Sequence, residues 1–283
     1  MNNTFVTVVL GVAFALCLGA TKVVADANLE YKETAAAIQA LDAQTAELKM
    51  GENAFLKKYN INELKRNYPA PEVSDGKTLI GVPVINQFPE LPTGCEITSA
   101  TALLRYIGYD VDKVFMQETY LPSSSAFYTG AEGVRIGPDP DKYFIGDPKG
   151  KGLGCYSTVI VDALNRFFRD RSSASYAIDL VNADQRTLET LLDNGIPVQV
   201  WASRDMKAFT YVNGNDWYLE TTGEHFHWPS NSHSLVLVGY DKLNYYFADC
   251  DDKKKIQAYE KALFLKRWEK TGNRGVIIKV ITE

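Results

Sequence analysis

A cysteine at the start of a helical pattern is the first residue of this chain that could do chemistry. The stretch LPTGCEIT, residues 91–98, places Cys95 directly before apolar residues at helical spacing. Thr93 and Glu96 match the capping box, a Ser or Thr followed three residues later by Glu or Gln. With Thr93 as the N-cap, Cys95 lies in the first turn, where the helix terminus favours a thiolate. Cys95 is therefore either a nucleophile or a buried structural cysteine.

A nucleophilic thiol needs a base, and the chain has only three histidines. His233 begins the strand-like run HSLVLVGYD, and the run NYYFAD follows it. If the two runs form a hairpin, Asp249 returns to the neighbourhood of His233. A carboxylate there would fix the tautomer of the imidazole and stabilise its charged form. The residue types therefore permit a triad of Cys95, His233 and Asp249.

The other two histidines, His225 and His227, lie in TTGEHFHWPSN, which we interpret as a turn-rich segment. Their alternation is compatible with a metal pair, but the spacing suggests no third ligand. We expect no metal ion and no organic cofactor.

The elements that must position these residues follow from the apolar pattern. Helices are predicted in CEITSATALLRYIGYD, in CYSTVIVDALNRFFRD and in NADQRTLETLLDNG, the last beginning at Asn182 or Asp184. Strands are predicted in the β-branched and aromatic runs IPVQVWA, HSLVLVGYD, NYYFAD and GVIIKVIT. Helices followed by strands are typical of an α+β domain with an antiparallel sheet.

Composition and charge narrow the class of protein. The 283 residues are 46% hydrophobic and 23% charged, with a net charge of −5 and no long basic run. A nucleic-acid-binding surface is therefore not expected. The four cysteines include Cys17 in the apolar N-terminal run. Removal of that run would leave three cysteines, an odd number that gives at least one thiol no internal partner.

Three segments are predicted along the chain. Residues 1–25 resemble a signal peptide, with small residues Val23 and Ala25 before a cut after Ala25, or alternatively a signal anchor. Residues 26–70 are a helical N-terminal segment with a linker; the stretch YPAPEVSDGK, 68–77, has linker composition. Residues 71–283 form the main domain. We expect a secreted or cell-surface protein that touches a membrane only through an uncleaved N-terminal segment.

Four blocks together resemble a known family. They are GVPVINQFPELPTGCEITSATALLRYIGYDVDK, YFIGDPKGKGLGCYSTVIVDALN, GIPVQVWA and HSLVLVGYD. In this order they are similar to exported bacterial cysteine peptidases related to the bacteriocin-leader (double-glycine) peptidases. The resemblance runs from about Gly81 to Asp249 and implies a papain-like fold, with N-terminal helices packed on an antiparallel β-sheet.

The resemblance also implies roles for individual residues. Cys95 corresponds to the nucleophile, His233 to the general base and Asp249 to the residue that orients the histidine. Gln87 corresponds to the oxyanion-hole donor, which acts beside the backbone N–H of Cys95. Gln87 lies eight residues before Cys95, a longer spacing than in those families, so the loop between them must bulge. If the bulge displaces Gln87, Asn86 is the alternative donor.

The remaining cysteines have open roles at this stage. Cys155 heads the second long helix and is a packing residue or a wall of the substrate cleft. Cys250 replaces the proline of the Asn-Asp-Pro tripeptide common in the resembling families, which brings a second thiol near the site. A disulfide between Cys155 and Cys250 is an open alternative.

The activity that the resemblance implies is cleavage of a peptide or amide bond through a thioester intermediate. The substrate is a peptide or another amide, such as a peptidoglycan cross-link. Two alternatives remain: an inactive extracellular binding module with the same fold, and an enzyme that transfers the acyl group to an amine.

Overall fold

The computed structural model describes residues 55, 58–180, 182–251 and 255–282, all within the unit Gly51–Glu283. The predictions for residues 1–54, which include the signal segment and most of the helical segment 26–70, lie outside the described residues. In the part of the chain that is described, no helix has the length and apolar character needed to span a membrane.

Six α-helices form in the described residues. In chain order they are α1 Ile61–Leu64, α2 Cys95–Tyr106, α3 Lys113–Tyr120, α4 Ser157–Asp170, α5 Gln185–Asp193 and α6 Lys261–Lys270. The three helices predicted from apolar spacing, α2, α4 and α5, are confirmed. Asp184 is the N-cap of α5, because its side chain accepts a hydrogen bond of 2.7 Å from the backbone N–H of Thr187.

Fifteen strands, arranged in three sheets, form in the same residues. They are β1 Glu72–Ser74, β2 Lys77–Leu79, β3 Ser123–Ser124, β4 Tyr128–Thr129, β5 Arg135–Gly137, β6 Phe144–Gly146, β7 Gly152–Gly154, β8 Tyr176–Leu180, β9 Val198–Ser203, β10 Tyr211–Leu219, β11 His225–Pro229, β12 Ser232–Tyr240, β13 Asn244–Ala248, β14 Gln257–Glu260 and β15 Gly275–Lys279. The four strands predicted from β-branched and aromatic runs correspond to β9, β12, β13 and β15.

The main sheet is antiparallel and has the order β1-β2-β12-β9-β15-β8, while β13 pairs with both β12 and β14. Strand β12 is its centre. It pairs with β9 from Ser232 to Leu237 and with β13 from Val236 to Tyr240. This hairpin of β12 and β13 is the one predicted from the sequence, and it places the residue after β13 beside the start of β12.

Helix α2 is the core of the molecule, because it is buried along nearly its whole length. Residues from Cys95 to Leu104 are all buried. The segment Ile97–Leu104 carries no charged side chain, so every face of the helix can be enclosed. Ser99 satisfies its hydroxyl by donating to the carbonyl of Ser234 on β12 at 3.1 Å. The helix is thereby fixed against the strand that carries His233.

The second and third sheets, β11-β10-β5-β4 and β3-β6-β7, were not predicted from the sequence. Strand β11 carries His225 and His227, so the interpretation of this segment as turn-rich is wrong. The inner face of the β10–β11 pair is aromatic: the rings of Trp217 and Phe226 lie 5.2 Å apart. Trp228, near the end of β11, is buried beside Tyr156, which directly precedes α4. It therefore packs this sheet against the start of α4.

The stretch predicted as a linker, 68–77, is part of the folded domain. Strands β1 and β2 form a hairpin whose turn residues Asp75 and Gly76 both have positive φ, as a tight two-residue turn requires. Immediately before it, the hydroxyl of Tyr68 donates to the carbonyl of Ile278. Leu64 is buried in the same core. The proline and glycine content of this stretch therefore indicates a turn and not a linker.

Candidate active site

The start of α2 differs from the predicted capping box. Gly94 is the N-cap, and its position makes Cys95 the first residue of the helix. The backbone N–H of Thr93 donates to the carbonyl of Pro148 at 3.2 Å, and its hydroxyl contacts the carbonyls of Asp147 and Pro148. Thr93 therefore holds the 147–148 loop against the helix start, and the prediction that Thr93 and Glu96 cap one another is wrong.

The thiol of Cys95 lies in a nearly closed pocket, with 7% of the residue exposed. Its sulfur accepts a hydrogen bond from the backbone N–H of Ser234 at 3.4 Å and donates to Oε2 of Glu96 at 3.3 Å. Ser234 directly follows His233 on β12, so the sulfur lies against the strand that carries the histidine.

His233 and Asp249 form a buried pair. Nε2 of His233 lies 2.7 Å from Oδ1 of Asp249, and the two side chains are 1% and 2% exposed. Asp249 follows β13 directly, so the β12–β13 hairpin brings the two residues together. An ionised carboxylate can only accept, so Nε2 carries the hydrogen and Nδ1 of a neutral His233 presents a lone pair. Nδ1 is buried and has no hydrogen-bond partner among the described residues.

Gln87 is fully buried in the loop before α2. Its Nε2 donates to the carbonyl of Pro92 at 2.8 Å, and its Oε1 accepts from the thiol of Cys250 at 3.3 Å. The sulfur of Cys250 also lies 3.7 Å from the carbonyl oxygen of Cys95. The loop folds back through a hydrogen bond from the N–H of Leu91 to the carbonyl of Gln87, which is the bulge that the long spacing requires. One N–H of the Gln87 amide is thus committed to Pro92.

Asn86, the alternative donor, stabilises the local turn: its side-chain oxygen accepts from the N–H of Phe88 at 2.9 Å. Cys155, also fully buried, precedes α4 by two residues, and its carbonyl accepts from the indole N–H of Trp201 at 2.9 Å. Cys95, Cys155 and Cys250 are free thiols, so the disulfide between Cys155 and Cys250 does not form.

Glu96 is the residue that sequence reasoning missed. A glutamate in the first turn of a helix is ordinarily exposed, but this one is 2% exposed and lies against the Cys95 thiol. Its Oε1 accepts from the backbone N–H of Cys155 at 3.1 Å. The available signal was its position next to the cysteine on a helix without another charge until Arg105.

The pocket shifts the pKa values of both groups. Burial raises the pKa of the Cys95 thiol well above its ordinary value, and the proximity of Glu96 and Cys250 raises it further. Burial also raises the pKa of Glu96, to about 7, although hydrogen bonds from its own N–H and from Cys155 oppose the rise. While Glu96 is ionised, Cys95 is therefore a neutral thiol. The helix terminus was expected to favour a thiolate, but burial and the neighbouring carboxylate act against that effect and raise the pKa of Cys95.

One group of described side chains has the composition of a metal site. The ligand atoms of His233, Asp249 and Cys250 lie within 4.8 Å of one another, and all three residues are buried. His233 and Asp249 already bind each other, and the Cys250 thiol binds Gln87. A metal ion would have to break both contacts, so the chemistry of this group fits a hydrogen-bonded network better. His225 contacts Asp216 at 3.0 Å and His227 contacts the carbonyl of Val212 at 3.1 Å, both at the surface.

A buried helix that begins at a cysteine and packs on an antiparallel sheet carrying a histidine–aspartate pair defines the papain-like α+β class. Comparison with known proteins agrees. The model of the Peptidase_C39 like family matches residues 79–276, and the chain belongs to this family.

Individual relatives show how far the similarity extends. The uncharacterized protein YvpB of Bacillus subtilis strain 168 is 29% identical over 192 residues, which cover 68% of this chain and 71% of that protein. The crystal structure of a protein from Bacillus anthracis described as a C39-like peptidase superposes with a TM-score of 0.60. It is 23% identical and covers 74% of this chain and 100% of its own. The peptidase domain of Streptococcus ComA, a bifunctional ABC transporter, gives 0.42 at 14% identity over 71% of this chain and 99% of its own.

Proposed function

We propose that this protein is an extracytoplasmic cysteine peptidase or amide hydrolase with Cys95 as nucleophile, His233 as general base and Asp249 as the residue that orients the histidine. The observation that carries this proposal is the buried Nδ1 of His233. Among the described residues Nδ1 has no hydrogen-bond partner, whereas Nε2 lies 2.7 Å from Oδ1 of Asp249. The N–H of Ser234, the residue after His233, donates to the Cys95 sulfur at 3.4 Å, which supports a role for the unoccupied Nδ1 lone pair as acceptor of the thiol proton.

The first half-reaction would form a thioester. Cys95 gives its proton to Nδ1 of His233, and the sulfur attacks the carbonyl carbon of the scissile amide. Negative charge develops on the carbonyl oxygen at the start of α2, where the first backbone N–H groups have no acceptor within the helix. Imidazolium His233 then protonates the leaving amine, and the C–N bond breaks. The charge on Asp249 stabilises that imidazolium while the proton is held.

Gln87 is proposed as a second donor to the oxyanion. Its Nε2 has two hydrogens, of which one is directed to the carbonyl of Pro92. The Cys250 thiol donates to Oε1 of Gln87. This contact fixes the orientation of the amide, with the oxygen towards Cys250 and the NH2 group away from it. Removal of a single oxyanion donor lowers kcat by roughly a hundredfold to a thousandfold in such enzymes.

The second half-reaction returns the enzyme to its resting state. His233 removes a proton from water, and the resulting hydroxide attacks the thioester carbon. The C–S bond breaks, the departing sulfur takes the proton back from His233, and the acid product leaves as a carboxylate after loss of its own proton to solvent. Neither half-reaction needs a metal ion or an organic cofactor. A peptide or another amide is the proposed substrate class, cell-wall cross-links included, and the apolar N-terminal sequence supports a location outside the cytoplasm.

Alkylation of Cys95 by iodoacetamide tests this proposal without knowledge of the substrate. Rates are measured between pH 5 and 9 in the wild type, in His233→Ala and in His227→Ala, a control that removes a half-buried imidazole bonded to the carbonyl of Val212. Peptide mass mapping separates Cys95 from Cys155 and Cys250. We expect His233→Ala to slow alkylation near pH 6 by roughly a hundredfold, because the thiolate loses its cationic partner, and His227→Ala to have no effect.

The opposite outcome is equally clear. If His233→Ala leaves the rate unchanged and Cys95 reacts only near the ordinary thiol pKa of about 8.5, Cys95 is not activated and a binding module is the better description. For an active protein, product analysis on a peptide library with added glycinamide separates hydrolysis from transfer. Hydrolysis yields only free carboxylates, whereas transfer yields amides of the added amine.

A further inference from the structure

Glu96 has contacts that packing alone does not require. Its carboxylate bridges two elements: Oε2 accepts from the Cys95 thiol on α2, and Oε1 accepts from the N–H of Cys155 ahead of α4. The backbone makes room for it at Gly154, where a Cβ would lie 2.4 Å from Oε1 and 2.5 Å from the ring of Trp228. A titratable group is thus held in contact with the sulfur that the proposed mechanism uses.

We propose that Glu96 is a second catalytic residue of this site: in its neutral form it donates a hydrogen bond to the Cys95 thiolate, and its ionisation switches the nucleophile off. The inference rests on the proposed role of Cys95 as nucleophile. Glu96 would then be a second proton-carrying group in contact with the Cys95 sulfur, in addition to His233.

The direction of the hydrogen bond between Cys95 and Glu96 is linked to whether Cys95 is a thiol or a thiolate. Towards an ionised carboxylate the thiol must be the donor, and a thiolate there would place two negative charges in contact within a buried pocket. Towards a neutral carboxyl group the sulfur can accept, and a thiolate is then the favoured acceptor. The same 3.3 Å contact can therefore stabilise either the inert thiol or the reactive thiolate.

Charged and titratable groups face Glu96 from each element packed against it. Cys95 lies on its own helix, Cys155 and Tyr156 lie between β7 and α4, and Cys250 follows β13. The electrostatic influence of His233 on β12 acts to lower the pKa of Glu96. Burial acts more strongly in the opposite direction, with the result that the carboxyl group titrates at about pH 7.

The proton balance gives the sign of the effect. The reactive state has protons on Glu96 and on His233, and none on the sulfur of Cys95. Loss of one proton to solvent leaves an ionised Glu96, and the imidazolium proton returns to the sulfur, which gives neutral Cys95 and neutral His233. Reactivity should therefore fall as pH rises through the pKa of Glu96, and rise again only when the thiol itself ionises.

Glu96→Gln separates this role from a structural one. A glutamine can keep both contacts, because Oε1 still accepts from the N–H of Cys155 while Nε2 donates permanently to the sulfur of Cys95. The alkylation rate of Cys95 by iodoacetamide is measured from pH 5 to 9 in the wild type, in Glu96→Gln and in Glu63→Gln, which changes an exposed glutamate paired with Lys279. Circular dichroism and thermal unfolding show whether each variant is folded.

We expect the wild-type and Glu63→Gln rates to fall above pH 7, by roughly tenfold for the first pH unit beyond the pKa of Glu96. Glu96→Gln should keep its pH 6 rate up to pH 8. A wild-type rate that rises continuously from pH 6 to 9 overturns the inference, whether or not Glu96→Gln folds. So does a Glu96→Gln profile that matches the wild type.

The same data separate this inference from the proposed function. If His233→Ala slows alkylation but Glu96→Gln leaves the profile unchanged, Cys95 is an activated nucleophile and only the role of Glu96 fails. If His233→Ala has no effect, the proposed function fails, and the role of Glu96 fails with it.

Discussion

Nε2 of His233 lies 2.7 Å from Oδ1 of Asp249, at the point where β12 begins and β13 ends. The contact fixes the imidazole tautomer, because the carboxylate can only accept a hydrogen bond. Both side chains are almost completely buried, so water cannot replace either partner. Nδ1 of a neutral His233 therefore carries the lone pair, and it has no hydrogen-bond partner among the described residues.

Replacing the carboxylate by an amide should therefore reverse the tautomer. In Asp249→Asn the amide N–H can donate to Nε2, which moves the imidazole hydrogen to Nδ1 and leaves no base for Cys95. We expect kcat, or the alkylation rate of Cys95 at pH 6, to fall by roughly three to four powers of ten with little change in KM. The alkylation rate of Cys95 is measured by quenching the reaction at a series of times and quantifying the modified peptide by mass mapping.

Asp251→Asn is the matched control for Asp249→Asn. Asp251 forms an ion pair with Arg204 at 3.1 Å and lies two residues beyond the site residue. A similar loss of activity in both variants would show that general destabilisation of this loop, and not the tautomer of His233, explains the effect.

Cys250 is predicted to orient the amide of Gln87. In Cys250→Ala, Oε1 of Gln87 loses its thiol donor inside a closed pocket, where an unsatisfied acceptor costs about 1–3 kcal/mol. The amide is then free to flip and present its oxygen to the oxyanion. We expect kcat for a peptide substrate to fall roughly tenfold or more and KM to change little, whereas Cys250→Ser, which keeps a donor, should retain most of the activity.

Steady-state kinetics on both Cys250 variants, together with urea unfolding, check this prediction. Equal losses in the alanine and serine variants would indicate that the volume of the sulfur matters and that its hydrogen bond to Gln87 does not.

The strands that carry the site, and the contact between His233 and Asp249, could be predicted from the sequence. Strands β9, β12, β13 and β15 are continuous runs of β-branched and aromatic residues, and these runs predict buried strands without reference to any partner. The contact of His233 with Asp249 follows from one further assumption, that consecutive strands form a hairpin. Both predictions depend on local sequence and short connections, for which chain order is a sufficient guide.

The environment of Glu96 could not be predicted in the same way. Its burial depends on Gly154 and Cys155, which are 58 and 59 residues away in sequence. Gly154 ends β7, a three-residue strand with two glycines that has no recognisable strand pattern, and Cys155 follows it. Local pattern instead favoured the common reading of Thr93 and Glu96 as a capping box. Helix α6 was not predicted either, although its buried Phe264 and Trp268 are spaced four residues apart, as on one face of a helix.

Gly154 is predicted to control the fit of Glu96 in its pocket. Its φ of +141° disfavours any other residue, and a Cβ would collide with both Oε1 of Glu96 and the ring of Trp228. Gly154→Ala should lower the free energy of unfolding by about 1–3 kcal/mol and displace the carboxylate from Cys95. Gly214→Ala, with φ of +88° and no atom within 4 Å of the added Cβ, is a control for backbone strain alone.

Urea unfolding and the pH profile of Cys95 alkylation measure the two effects of Gly154→Ala. A variant that loses no more stability than Gly214→Ala, with an unchanged alkylation profile, would show that the pocket accommodates the extra methyl group and that this contact is not required.

The raised pKa of Glu96 should appear in the stability of the whole protein. The carboxyl group titrates at about 7 when folded and at its ordinary value of 4.5 when unfolded, so the folded state binds its proton more tightly. This contribution to stability is fully present below pH 4.5 and is lost as pH rises through 7, an effect of about 3 kcal/mol over the interval. Glu96→Gln has no such proton, so its stability lacks this dependence on pH. Between pH 4.5 and 7.5 the unfolding free energy of the wild type should therefore fall relative to that of Glu96→Gln. Urea unfolding of both proteins at a series of pH values measures this difference. A difference that stays constant with pH would mean that folding does not raise the pKa of Glu96, and would remove the physical basis for a neutral Glu96 beside the Cys95 thiolate.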